Sequence, residues 1–313
     1  MNILITGGCG YTGTILTQDL IDLGHNVVVV DTQWFGNYLK KNKKLKVIKA
    51  DIRDYKKIPL KNIDTIVHLA NIANDPGVEL NQKLSWEVNV LATNKLIEKA
   101  IENNVKHFIF ASSGSVYGIK KEREVTEELS LLPISTYNKT KMIAERLIKS
   151  YENQIRFHCI RPATVCGFSP RMRLDVSVNM FVYQALSKGE ITVFGGNQIR
   201  PNIHINDLSN IYKYFIKNPN LPAGFYNAGF ENLKIIEIAK KVQKFIPSII
   251  KIKNNNNDPR SYRQSSKKLL SVGFKNNYCV EDAILEIKEK FESKKFKASD
   301  KHYTVKWMKK IGL

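Results

Sequence analysis

Tyr137 and Lys141, four residues apart, and the hydroxyls of Ser112, Ser113 and Ser115 are the groups in this chain best suited to moving a proton on and off a carbinol. At a helix start, positions i and i+4 lie on one face, so phenol and ammonium point the same way. A free phenol has a pKa of about 10 and is a poor base at neutral pH. A neighbouring ammonium stabilises phenolate, and each unit of depression is worth about 1.4 kcal/mol in the ionisation equilibrium. Such a tyrosine can take the proton of a hydroxyl, and Ser113 can hold that oxygen as it becomes a carbonyl. The same carbon must release a hydride, so the chemistry needs an acceptor. Tyr-x-x-x-Lys by itself occurs on many surface helices, and the elements around it decide its meaning.

The acceptor's site is written at the N-terminus. Asn2 to Thr6 is a short apolar run, followed by Gly7, Gly8, Gly10 and Gly13. Leu16, Leu20, Ile21 and Leu23 mark the apolar face of a helix that Gly24 stops, and Val27 to Val30 is a β-branched run closed by Asp31. Strand, glycine turn, helix, strand and acid form the βαβ unit that holds a dinucleotide. A diphosphate needs backbone N–H groups aimed at it with no Cβ in the way, which Gly7, Gly10 and Gly13 allow, and Tyr11 and Thr12 open the helix whose positive end faces it. The Asp31 carboxylate can accept hydrogen bonds from an adenosine ribose and would repel a 2′-phosphate, so the expected cofactor is NAD. Its positive nicotinamide ring would add to the effect of Lys141 on Tyr137.

The spacing Gly7-x-x-Gly10-x-x-Gly13, together with TGGCGYTG, HLA, SSGSVYG, YNKTK, RPATVCG and RPNIHINDL, resembles the extended short-chain dehydrogenase/reductase family across nearly the whole chain. That family includes NAD-dependent nucleotide-sugar epimerases and dehydratases, and the likeness is to the UDP-glucose 4-epimerase type. The resemblance implies a nucleotide-diphosphate sugar as substrate and Ser113, Tyr137 and Lys141 as the catalytic set. It implies adenine contacts at Asp51 and Ile52, and close approach of the cofactor at Leu69 and Ala70. On the substrate side it implies Ser115, Asn179 and Arg200 near the sugar and diphosphate, Val193 and Phe194 lining the base pocket, and Arg260 or Arg263 completing the clamp. Arginine's planar fork suits phosphate oxygens. It further implies a homodimer paired through the helices Leu84 to Asn103 and Tyr137 to Tyr151.

The family's 4,6-dehydratases carry an Asp-Glu pair directly after the catalytic Thr, and here those places are Gly114 and Ser115. The expected reaction is therefore 4-epimerisation by transient oxidation at C4. The alternative is a net 4-dehydrogenase or 4-ketoreductase. SPRMRLD with DPRSYR resembles a branch that contains a dehydrogenase for nucleotide-linked heptose, and Thr164 stands where galactose-type epimerases tend to have Asn. A protein that senses NAD without turnover would typically lose Tyr or Lys, and this chain keeps both.

The expected fold is α/β: a Rossmann-type doubly wound parallel sheet with a smaller α/β substrate-binding lobe, for which 313 residues are ample. Residues 1–167, with a returning segment near 203–228, form the NAD-binding domain, and 168–202 with 229–313 the lobe. Leu84 to Asn103 reads as one long helix, and residues after Lys294 lack strong periodicity. The net charge of +20 is spread over the chain, which favours solvated surface over a nucleic-acid partner. No stretch has the length of a membrane span, and residues from Asn2 onward read as strand rather than signal peptide. Cys9, Cys159, Cys166 and Cys279 lie far apart without a paired metal spacing and read as free thiols in a cytoplasmic protein.

Overall fold

The structure, a computed structural model, describes residues 1–254, 261–294 and 296–313. Its first strands are β1 (Asn2–Thr6), β2 (Asn26–Asp31), β3 (Leu45–Lys49), β4 (Thr65–His68), β5 (His107–Ala111) and β6 (Arg156–Pro162). Then come β7 (Thr164–Cys166), β8 (Glu190–Phe194), β9 (Ile199–His204), β10 (Gly224–Ala228), β11 (Glu231–Lys234) and β12 (Ile249–Lys253). Seven of them make one parallel sheet in the order β10-β6-β5-β4-β1-β2-β3. The order reverses between β1 and β4, and in such sheets ligands bind in the crevice beyond the carboxyl ends of the strands at that point.

The helices are α1 (Tyr11–Asp22), α2 (Asp75–Val78), α3 (Gln82–Trp86), α4 (Ala92–Glu102), α5 (Thr136–Ser150) and α6 (Ser177–Lys188). They continue with α7 (Ile205–Lys217), α8 (Ile235–Phe245), α9 (Lys267–Ser271), α10 (Val280–Glu292) and α11 (Thr304–Lys310). Alternate strand residues face opposite ways and are buried on both sides, as a covered parallel sheet requires. Leu4, Ile66, Phe108 and Phe157 pack with Leu96 and Ile97 of α4 and Ala144 and Ile148 of α5. Ile3, Ile5, Val29, Val67 and Ile109 pack on the other face with Leu16 and Leu20 of α1 and Ile211 and Phe215 of α7. This is the doubly wound arrangement expected from the sequence.

A third core joins Met172 and Leu174 to Val178, Phe181 and Val182 of α6, Ile238 and Val242 of α8, and Ile284 and Ile287 of α10. Two small sheets edge it, β11-β9-β7 and β12-β8. The strands β9 and β12 have no clear signal in the sequence. Ile199–His204 reads as a connector because Pro201 interrupts it, and Ile249–Lys253 is a five-residue edge strand whose isoleucines are mostly exposed.

The helix expected over Leu84 to Asn103 is continuous but not α throughout. Between α3 and α4 the chain makes a π-helical turn at Glu87–Leu91. The extra residue turns Asn89 inward, where its Oδ1 accepts from the Ile72 amide and its Nδ2 donates to the Ile72 carbonyl and to Thr140 Oγ1. The tail beyond Lys294 ends in α11, whose Trp307 Nε1 donates to the Trp34 carbonyl at 2.6 Å. All four cysteines are free. Among the described residues no helix is long and apolar enough to cross a membrane.

Candidate active site

A cleft of about 540 Å³ runs across the carboxyl ends of the central strands and is closed from above by the third-core segment and the C-terminal tail. Gly7, Gly10, Tyr11, Thr12 and Gly13 line one stretch of it, with Asp31, Asp51, Ile52, Leu69 and Ala70 beside them. Gly7 adopts φ +76°, and a Cβ there would stand 2.6 Å from the Ala70 amide nitrogen, so only glycine fits this crossing. A Cβ on Gly13 would overlap the Gly7 carbonyl and come 2.7 Å from Gly8 Cα. At Gly10 a Cβ would meet nothing closer than the Gly7 carbonyl at 3.1 Å, and would otherwise project into open space.

That open space is the cradle a dinucleotide requires. Among the described residues, helix α1 has no side-chain cap and no acidic residue in its first turn, so its N-terminal amides and dipole are left to a ligand. Asp31 accepts from the amides of Cys9 at 3.0 Å and Gln33 at 2.6 Å. Burial raises its pKa above the usual carboxylate range, while those amides and the positive charge of Arg171 work against the rise. Asp51 is held by Arg53, which also reaches Glu87. These residues fit NAD.

Ser112, Ser113, Ser115, Tyr137 and Lys141 line the next stretch. Ser135 caps α5 by accepting from the Asn138 amide, and its own hydroxyl donates to Asp75. Tyr137 and Lys141 therefore begin a helix anchored at its first turn. Lys141 Nζ donates to the Ala111 carbonyl at 2.6 Å and lies 5.9 Å from the centre of the Tyr137 ring. Burial pulls its pKa down to about 7, with the charges of Glu145 and Cys159 pulling the other way. Ser113 and Ser115 share a hydrogen bond of 2.8 Å between their hydroxyls. Gly114, between them, has Gln264 Oε1 at 2.7 Å from where a Cβ would stand.

Of the residues assigned to substrate, Ser115 and Arg200 reach this cleft. Four others are placed elsewhere. Asn179 is wholly buried, its Oδ1 accepting from the Gly167 amide and its Nδ2 donating to Tyr11 Oη and the Arg173 carbonyl. Those bonds lock α6 to the loop after β7 and leave Asn179 no free reach toward a diphosphate. Val193 is buried in the third core, because β8 turns that face inward, and Phe194 on the opposite face is exposed. Arg263 is exposed and lines a separate cavity with Arg123, Glu124 and Lys267. Arg260 lies outside the described residues.

Several cleft residues have no assignment from sequence. Arg171, Arg173 and Asp175 enter from the SPRMRLD segment, Trp34 and Phe35 from the loop after β2, and Thr304 and Met308 from the tail. Arg173 Nε donates to Asp175 at 2.8 Å, and the Thr304 amide donates to the other Asp175 oxygen. Burial opposes ionisation of Asp175, but Arg173 and Thr304 outweigh it and hold the carboxyl down at about 2. The density of arginine in SPRMRLD is the visible signal. What it faces depends on a tail far away in sequence.

The profile of the NAD dependent epimerase/dehydratase family matches residues 3–229 of this chain. The chain is 28% identical over 272 residues to a UDP-glucose 4-epimerase of Lactobacillus helveticus, a match that covers 77% of this chain and 82% of the relative. Among solved structures it is similar to the Thermus thermophilus UDP-glucose 4-epimerase complex with NAD, with a TM-score of 0.81, 21% identity and coverage of 93% of this chain and 99% of that one. It is similar in fold also to TunA, an NAD-dependent NDP-hexosamine 5,6-dehydratase, with a TM-score of 0.84, 21% identity and coverage of 93% and 98%.

Proposed function

The chain belongs to the NAD-dependent epimerase/dehydratase family, and from that premise we propose that it is a nucleotide-diphosphate-sugar 4-epimerase acting by transient oxidation at C4. One observation carries the reading. Ser113, Tyr137 and Lys141 meet on one wall of a cleft that also runs along the glycine turn, and the positions after Ser113 are Gly114 and Ser115 rather than carboxylates. A Cβ at Gly114 would point at the end of the Gln264 side chain, 2.7 Å away. Elimination of water needs a second acid and base at neighbouring carbons, and the carboxylates of the cleft are engaged: Asp51 and Asp175 by arginines, Asp31 by two amides and Asp75 by Ser135.

In this reading Tyr137 takes the proton of the sugar 4-hydroxyl. Ser113, braced by Ser115, holds the oxygen as it becomes a carbonyl. Lys141 sits behind the phenol and favours its ionised form. NAD, held at the glycine turn and Asp31, would supply the acceptor and donor for the C4 hydride. The ketosugar turns within the cleft so that hydride comes back to its other face, while Arg200 keeps the diphosphate anchored. Tyr137 then returns its proton.

Tyr137→Phe removes one oxygen and leaves the ring. It is expected to lower turnover by about 10³-fold or more, general-base contributions being of order 10²–10⁴. NAD released on denaturing the variant should remain stoichiometric. A variant that keeps its turnover would reject the proton-transfer role of Tyr137.

A further inference from the structure

We propose that Arg171 is a ligand for the diphosphate of the bound dinucleotide, reaching across the cleft from the second lobe to face the N-terminus of α1. The side chain is only 4% exposed and lines the cleft. Its guanidinium lies 3.9 Å from the centre of the Phe35 ring. Among the described residues its Nε has no hydrogen-bond partner, and its Nη1 has a long contact of 3.5 Å to the Met172 carbonyl. Neighbouring carboxylates are committed elsewhere. Asp175 is shared by Arg173 and the Thr304 amide, and Asp31 by the amides of Cys9 and Gln33. Burial, and then the charge of Arg173, lower Arg171 to about pKa 10, with the charge of Asp175 working against them. A buried guanidinium that no carboxylate hydrogen-bonds is costly, and such a group persists where a ligand supplies the missing acceptor.

The neighbours identify the anion. Arg171 lies against Phe35 in the loop after β2 and its charge is felt by Asp31, both at the dinucleotide end of the cleft, whereas the charge of Arg173 is felt by Tyr137, and Tyr11 feels both. The two arginines of SPRMR therefore serve different ends. Tyr11 opens α1, whose uncapped amides offer partial positive charge to the same place. A fork of N–H donors opposite a helix N-terminus is suited to a diphosphate. The tail fixes this geometry. The Leu174 amide donates to the His302 carbonyl, Thr304 holds Asp175, and Trp307 is bonded to Trp34 next to Phe35. His302 is lowered to about pKa 4 by burial and adds no competing charge near neutral pH. The proposal is independent of which reaction the cleft carries out.

The test is titration calorimetry of NAD and, separately, of UDP on the full chain, its Arg171→Met variant and its Arg171→Lys variant, with folding checked by circular dichroism. Arg171→Met is expected to weaken NAD at least tenfold and to leave UDP within twofold. Arg171→Lys keeps the charge but loses the fork, and is expected to weaken NAD at least threefold. Unchanged NAD affinity in folded Arg171→Met would overturn the proposal. So would a loss on UDP as large as that on NAD, which would assign Arg171 to the substrate's diphosphate. Should Arg171→Met not fold, Arg171→Lys decides: weakening of threefold or more supports the assignment, and wild-type affinity overturns it.

Discussion

Lys141 is the charge beside the phenol proposed as base, and it sits where an ammonium is poorly solvated. Burial brings it to about pKa 7, against an unfolded value near 10.4. Between those values the unfolded chain holds more protons than the folded one, so this group's contribution to stability rises with pH across that window and is at its worst below it. Lys141→Met removes the penalty. In nucleotide-free protein its melting temperature relative to wild type should be higher near pH 7 than near pH 10, while turnover falls about 10³-fold. An offset equal at both pH values would mean that the folded Lys141 titrates normally. At this scale the sequence is legible where chemistry is local. Tyr137, Lys141, Ser113 and Asp31 lie on contiguous motifs, and all four reach the cleft. Arg171 and Arg173 stand out in sequence as a cluster without a role, because burial and partnering by distant residues decide what a guanidinium does. Asn179, Val193, Phe194 and Arg263 carry roles from resemblance alone, and packing sends them away from the cleft.

Helix α5 does more than present two side chains. Tyr137, Lys141 and Glu145 follow one another at intervals of four, so one face carries phenol, ammonium and carboxylate in sequence. Glu145 is wholly buried and grips Arg161 of β6 through both oxygens, at 2.9 and 2.7 Å. Arg161 donates in turn to Tyr117 Oη, which donates to Asn227 of β10. The helix is thereby tied to two strands of the sheet. Glu145→Gln leaves a buried guanidinium without its counter-ion, at an expected loss of about 3–5 kcal/mol measured by denaturant unfolding. It also removes the negative charge that supports the Lys141 ammonium, so the alkaline limb of kcat/KM should move to lower pH. A limb that stays in place would show that Glu145 acts on the fold alone. Helix α5 and the βαβ unit are readable from periodicity and caps. The π-turn at Glu87–Leu91 is not, since it answers to Asn89 meeting a distant loop rather than to any local preference.

The two covered faces of the central sheet and the third core meet around one cleft. The central sheet reverses its order beside the glycine turn, which opens the dinucleotide's place, and the third core supplies the opposite wall. The C-terminal tail crosses back over both, joining Trp34 on one side to Asp175 on the other. An enzyme that oxidises and re-reduces one carbon gains from holding its dinucleotide between cycles, and a wall pinned from two sides serves that end. In the proposed reaction hydride leaves C4 and a proton leaves its hydroxyl oxygen, and both return within this single cleft. Proton magnetic resonance in deuterium oxide, on a panel of UDP-, GDP-, CDP- and dTDP-hexoses, tests it most directly. The expected result is inversion at C4 of one such sugar with its C4 hydrogen retained as protium and no accumulation of reduced cofactor. Deuterium at C4, a dehydrated 4-keto sugar, or a stoichiometric rise in reduced cofactor would contradict it.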